Sequence, residues 1–215
     1  MSEHLSEITA LLIEGNFNEI AEITLSALDA GTSADKILSQ GLMPGMDHIG
    51  IEFKAGRVFV PEVLRSAKAM QESMDIIRPI LAETGSKPVG KIVLGTVKGD
   101  LHDIGKNLVG MMCEGAGFEV IDLGKNVDPQ QFVDAMNELQ PDILGMSAML
   151  TTTMMSMDRT IQALQDSGVR DQLSVLIGGA PVNQDFADKI GADGYASNAA
   201  SAADLAIKIV NQKRS

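Results

Sequence analysis

At 215 residues the chain can form one domain or two small ones, and its 45% apolar residues are enough for a real core. A formal charge of −12 argues against nucleic acid, which needs a basic footprint, and a single cysteine excludes an internal disulfide framework. The apolar runs fall far short of a membrane span, and no basic region followed by an apolar stretch opens the chain, so a cytoplasmic protein is expected, with no membrane and no nucleic-acid partner.

Residues 1–84 read as helical. Leu5, Ile8, Leu11 and Leu12 make one apolar stripe, and Ile20, Ile23, Leu25 and Leu28 line a second segment. Val63, Leu64, Ala67, Met70, Met74 and Ile77 then recur at three- and four-residue steps, the helical period. Pro61 suits a first helical turn, and Pro79 is expected to end or kink the last helix. Gly41, Gly45, Gly50 and Gly56 punctuate the middle, so four or five short helices in a small bundle are expected.

Residues 85–90, opening with Gly85-Ser86-Lys87-Pro88, read as a linker, and residues 91–215 alternate strands with helices. Strands are expected over 91–97, 118–123, 142–147, 174–178 and 194–196, and helices over 105–116, 129–140, 152–167, 183–190 and 201–212. Asp128-Pro129 is a helix start, with Asp as cap and Pro at the first position. Cys113 falls on the apolar side of the first of these helices and is expected to be buried. Five β-α units in this order predict an α/β fold with a doubly wound, flavodoxin-like five-stranded parallel sheet. With strand order 2-1-3-4-5, the switch point lies between the first and third strands, where such sheets bind ligands.

Three loops open there. The first is Gly99-Asp100-Leu101-His102-Asp103-Ile104-Gly105, in which a carboxylate stands two residues before a histidine. An imidazole so placed can ligate a metal while the carboxylate holds its other ring nitrogen. The second, Ser147-Ala148-Met149-Leu150-Thr151-Thr152-Thr153, is dense in hydroxyls, and the third, Gly178-Gly179-Ala180-Pro181, lets a ligand approach the backbone. With only three histidines (His4, His48 and His102) a zinc site of several His and Cys side chains is not expected. Lys98 and Lys106 could meet an anionic group, but solvent exposure is the expectation for both.

These residues resemble the three-part signature of the B12-binding modules of methionine synthase and of the corrinoid proteins in anaerobic methyltransferase systems. Asp100, His102 and Gly105 match Asp-x-His-x-x-Gly; Ser147 and Thr151 match Ser-x-Leu followed by threonine, with Met149 in place of leucine. Gly178 and Gly179 match the third part, and Thr153 stands where a hydroxyl closes a His-Asp-Ser relay. Residues 53–61, Phe-Lys-Ala-Gly-Arg-Val-Phe-Val-Pro, resemble the helical cap of methionine synthase, whose corrin-shielding positions fall on Phe53 and Val60.

The resemblance implies a cobalamin or related corrinoid bound base-off, with His102 as the lower cobalt ligand and Asp100 accepting its other N–H. It implies cofactor contacts at Asp103, Gly105, Ser147, Met149, Thr151, Thr153, Gly178 and Gly179, and residues 1–84 as a cap. It further implies a methyl shuttle that accepts a methyl group on Co(I) from a substrate-specific methyltransferase acting on a methanol, methylamine, betaine or methoxy-type donor. A second methyltransferase would pass the group to coenzyme M or tetrahydrofolate, and a reductive activase would rescue oxidised cobalt. No residue is equipped to cleave a C–N or C–O bond unaided, so a carrier rather than a self-sufficient enzyme is expected. The alternatives are a B12-dependent regulator or light sensor, which should add a DNA-binding domain, and the small subunit of an adenosylcobalamin mutase, which should lack the cap. Outside B12, a flavodoxin-like or signalling domain would share the fold alone.

Overall fold

A computed structural model describes residues 3–214 and divides the chain into two units between Pro88 and Val89, with Glu114–Gly117 grouped with the first. The first unit holds α1 (Glu3–Glu14), α2 (Ile20–Asp29), α3 (Ala34–Lys36), a π-helical segment (Ile37–Leu42), α4 (Met43–Lys54) and α5 (Val60–Thr84). Leu5, Ile8, Leu11 and Leu12 are all buried, as their spacing requires.

Three details depart from expectation. Leu25 and Leu64 point into solvent, because α2 buries Ile20, Thr24 and Ala27, and α5 buries Val63 with small residues such as Ser66, Ala67 and Ser73. The Thr24 hydroxyl is fixed on that face, 2.7 Å from the Ile20 carbonyl and 2.8 Å from the Ser73 hydroxyl. Second, α5 does not end at Pro79 but runs through it to Thr84, closed by Gly85 in the left-handed conformation (φ 70°). Pro79 is exposed, so the carbonyl that loses its N–H partner there can be served by water. Third, Gly41 and Gly45 lie inside the helical run and serve packing. A Cβ at Gly41 would come within 3.1 Å of Ile8 and one at Gly45 within 2.9 Å of Leu12, so their absence lets α1 approach. Pro61 sits in the first turn of α5, as predicted.

The second unit holds β1 (Lys91–Thr96), α6 (Ile104–Gly115), β2 (Glu119–Asp122), α7 (Pro129–Leu139), β3 (Ile143–Ser147) and α8 (Thr151–Asp166). After a 3₁₀ turn (Arg170–Gln172) come β4 (Ser174–Gly178), α9 (Gln184–Ile190), β5 (Gly194–Tyr195) and α10 (Ala199–Lys213). The sheet is parallel with order β2-β1-β3-β4-β5, which is the predicted doubly wound topology. Asp128 caps α7 as the Asp-Pro pair requires: its carboxylate accepts the Gln130 N–H at 3.1 Å, and Gln131 returns a bond to the Asp128 N–H at 2.9 Å. Cys113 is buried.

On one sheet face Val93, Leu144, Met146, Val175 and Ile177 join Phe132, Val133, Met136, Met157, Ile161 and Leu164 of α7 and α8 in one core. Gly95 makes room for it, since a Cβ there would lie 2.5 Å from the fully buried Phe132 ring. Such a core fixes the strand ends, and with them the loops above the sheet. Among the described residues no helix is long and apolar enough to cross a membrane.

Candidate functional site at the carboxyl edge of the sheet

Strand β1 ends in a turn in which the Asp100 N–H donates to the Val97 carbonyl at 3.1 Å. Gly99, third in that turn, has φ 85°, a conformation that favours glycine. The turn drives the Asp100 side chain inward until it is fully buried (0% exposed). A buried carboxylate is costly unless each oxygen is hydrogen-bonded, and here both are. Oδ1 accepts the His102 N–H at 3.0 Å and faces His102 Nδ1 at 2.7 Å. Oδ2 accepts the Met149 N–H at 2.7 Å and the Thr153 hydroxyl at 2.6 Å. Burial alone pushes this carboxyl upward, but the bonds from Thr153, Met149 and His102 outweigh it and hold it well below the ordinary carboxylate range.

An ionised carboxylate has no proton to give, so the proton between it and His102 belongs to Nδ1. The neutral ring then keeps its lone pair on Nε2, which has no hydrogen-bond partner among the described residues. The ring itself is 57% exposed. His102 is thus oriented from behind and open in front. Leu101, Ile104, Met149 and Leu150, all exposed, form apolar surface on the two loops that carry it and its supporting bonds. Apolar groups clustered around a polar atom are the ordinary lining of a site for a large ligand.

The three loops meet through the strand register, in which Thr96 pairs with Ser147 and Ser147 with Gly178. The Thr96 hydroxyl lies 3.1 Å from that of Ser147 and 3.2 Å from the His102 carbonyl. Gly179 has φ 124°, and a Cβ there would lie 1.9 Å from the Ala148 carbonyl oxygen, so the third loop passes the second at a distance only glycine allows. Gly105 differs: a Cβ there would meet nothing within 4 Å. No protein atom demands a glycine at 105, and the space beside it is open. Thr151, exposed at the start of α8, adds a hydroxyl to the second loop.

Asp103 is half-buried, its carboxylate 3.9 Å from the Lys125 ammonium. Lys98 is exposed, as expected, and pairs with Asp128. Lys106 is not exposed: its side chain is 2% accessible and its ammonium is held by Asp122 and, at 2.7 Å, by the Asn107 side chain. Its position in the first turn of α6 takes the long stem back toward the end of β2, where Asp122 waits. In the helical unit, Phe53 is half-buried on α4, whereas Val60 and Phe59 at the start of α5 are exposed, Phe59 at 64%. Glu52 and Arg57 close the intervening turn with two bonds of 2.6 and 2.7 Å, and Glu62 caps α5 by accepting the Phe59 N–H at 3.1 Å.

Sequence reasoning brought together Asp100, His102, Ser147, Thr153 and Gly178, and missed Thr96, Asn126 and the Met149 amide. The last two act through backbone groups or across loops, for which a linear pattern carries no signal.

Two models of a B12 binding domain match the chain, one over residues 90–204 and one over residues 5–78. A corrinoid protein of Desulfitobacterium hafniense (strain Y51) is 41% identical over 97% of this chain and 98% of its own length. The trimethylamine corrinoid protein 1 of Methanosarcina acetivorans is 41% identical over 88% of this chain and 87% of its own. Among solved structures, a cobalamin-binding protein from Desulfitobacterium hafniense DCB-2 superposes with a TM-score of 0.79 at 34% identity, covering 95% of this chain and 98% of that one. A chain of the methanol:cobalamin methyltransferase complex from Methanosarcina barkeri superposes with a TM-score of 0.86 at 30% identity, covering 98% of this chain and 80% of that one.

Proposed function

The chain belongs to the B12-binding domain family, and from that premise we propose that it is the methyl-carrying corrinoid subunit of a methyltransferase system, with His102 as its protein ligand to cobalt. The observation that carries this reading is the exposed imidazole whose Nδ1 is tied to a buried carboxylate while Nε2 stays open. One imidazole suffices for a metal that arrives with four ring nitrogens of its own. Bound there, the corrinoid would supply a cobalt that takes up and releases a methyl group.

The protein's own groups then have distinct tasks. His102 would offer Nε2 to the cobalt. Asp100 fixes the tautomer and raises the donor strength of the ring. A proton on Nε2 would be balanced by the buried carboxylate beside Nδ1. Thr153 and the Met149 amide keep that carboxylate ionised. Gly105, Gly178 and Gly179 leave room for the nucleotide tail, with the Ser147 and Thr151 hydroxyls as its polar partners. The exposed side chains of Leu101, Ile104, Met149 and Leu150 supply an apolar bed that excludes water. Phe53 and Val60 are the shielding residues of the helical unit by their match to the cap signature, and Asp103 sits on the rim of the histidine loop.

The partners in this proposal are a substrate-specific methyltransferase, a second methyltransferase acting on coenzyme M or tetrahydrofolate, and a reductive activase. The names of the relatives, which include trimethylamine and dimethylamine corrinoid proteins and a methanol:cobalamin methyltransferase complex, support a donor of the methylamine or methanol class. The test is anaerobic reconstitution with cobalamin, reduction and loading with an isotopically labelled methyl donor. Label equimolar with bound corrinoid, released to a thiol or folate only when a methyltransferase is added, is the expected result. A protein that retains no corrinoid, or label that never enters it, overturns the proposal.

A further inference from the structure

The loop after β2 grips the turn that carries the histidine. Asn126 is one of two non-glycine residues with positive φ among the described residues, at 57°. Such backbone is uncommon outside glycine, and asparagine is among the residues that tolerate it best. In this conformation Asn126 uses both its backbone and its side chain on the same turn. Its side-chain Oδ1 accepts the Gly99 N–H at 2.8 Å, and its own N–H donates to the Asp100 carbonyl at 3.0 Å. The two bonds fall on the Lys98–Gly99 and Asp100–Leu101 peptides, on either side of the Gly99–Asp100 peptide, whose own N–H is held by the Val97 carbonyl at 3.1 Å. Lys125, one residue earlier, adds an exposed ion pair to Asp103 at 3.9 Å.

Without Asn126, the Gly99 N–H has only water. Glycine at 99 is free to turn the peptide over, since it populates both signs of φ at little cost. A turned peptide would draw Asp100 away from the four donors that converge on it. We propose that Asn126 is a positioning residue: its amide oxygen locks the Lys98–Gly99 peptide, and through it the Asp100–His102 pair, in the geometry that presents Nε2. This rests on the corrinoid reading above, but the bracket itself exists without cofactor and can be tested without it.

Three variants separate side-chain acceptor from backbone strain. Asn126→Gly keeps the left-handed backbone and its N–H but removes the acceptor. Asn126→Asp keeps both and should rescue. Asn126→Ala removes the acceptor and adds strain. In the cofactor-free protein, nitrogen-15 NMR at low temperature should show the His102 Nδ1 proton, and hydrogen exchange should show a protected Gly99 amide, in the wild type and Asn126→Asp. Both should be lost in Asn126→Gly. In cobalamin-loaded protein, Asn126→Gly should lower the His-ligated fraction in the absorption spectrum and weaken binding by roughly threefold to tenfold, the scale of one net hydrogen bond. A wild-type Nδ1 signal and a wild-type spectrum in Asn126→Gly would overturn the proposal. If the wild type takes up no cobalamin, the carrier reading falls, and the cofactor-free comparison still decides the role of Asn126.

Discussion

Replacing Asp100 by Asn tests the site at its most constrained atom pair. The carboxylate accepts four hydrogen bonds, two at each oxygen. The amide keeps one oxygen and presents an NH₂ group in place of the other. With the oxygen left toward His102, the Thr153 hydroxyl can turn to the Leu150 carbonyl, 2.9 Å away. The Met149 N–H then faces a donor and loses its partner. A charge-assisted hydrogen bond contributes about 1.5–3 kcal/mol, and an orphaned N–H costs about 1–3 kcal/mol, so the expected loss of stability is about 2–4 kcal/mol. Urea denaturation of the cofactor-free protein, followed by circular dichroism, measures it. The effect also has a pH signature. The folded Asp100 carboxyl lies well below its ordinary value, whereas an unfolded Asp titrates near about 3.9. Its stabilising contribution is therefore complete above the unfolded value and declines as pH falls through and below about 4. The gap between wild type and Asp100→Asn should narrow in the same range. A variant within about 0.5 kcal/mol of wild type at pH 7, or a gap that widens in acid, would refute the reasoning.

Removing the Thr153 hydroxyl with Val leaves Asp100 Oδ2 one donor short and should cost about 1–3 kcal/mol in the same denaturation assay, whereas Ser should restore most of it. Gly179→Ala places a Cβ against the Ala148 carbonyl and should destabilise by about 3 kcal/mol or more. Gly105→Ala meets no protein atom, so it should shift stability by less than about 1 kcal/mol while weakening cobalamin binding roughly tenfold. Equal stability losses for the two glycines would contradict the reading that the fold itself requires glycine at 179 but not at 105. Asp122→Asn strands the buried Lys106 ammonium and should cost about 2–3 kcal/mol, less than a fully buried pair because Asp122 is half-exposed. Lys106→Met should cost under about 1 kcal/mol. The opposite ranking would mean that Asp122, not Lys106, carries the burial penalty.

The strands and helices of the second unit were legible because local chemistry marks their ends. Asp128-Pro129 starts α7 and glycines (Gly99, Gly124 and Gly179) follow β1, β2 and β4, so the expected boundaries fall within two residues of those observed. Asp100 and His102 were legible because both lie in one short loop, and Ser147 and Gly178 because the topology places their strands side by side. What escaped was set by tertiary context. Lys106 reads as a surface residue until β2 brings Asp122 beneath it. Pro79 reads as a stop, yet an exposed helix face tolerates the missing bond. Leu25 and Leu64 fit the helical period but lie off the faces that Thr24 and Ser73 help to bury. Asn126 and the Met149 amide reach Asp100 across loops separated by 26 and 49 positions in the chain, and nothing in a linear pattern joins them.

The central claim is that His102 Nε2 is a metal ligand, and absorption spectroscopy tests it most directly. Wild type and His102→Ala would be reconstituted anaerobically with methylcobalamin, freed of excess cofactor and compared. The ring is exposed, so the variant should still fold, though the loss of one donor to the buried Asp100 carboxylate should lower its stability by about 1–3 kcal/mol. The wild type should retain corrinoid with a histidine-ligated spectrum, and the variant should show the spectrum of a corrinoid with no nitrogen ligand below. Identical spectra in the two proteins would contradict the account.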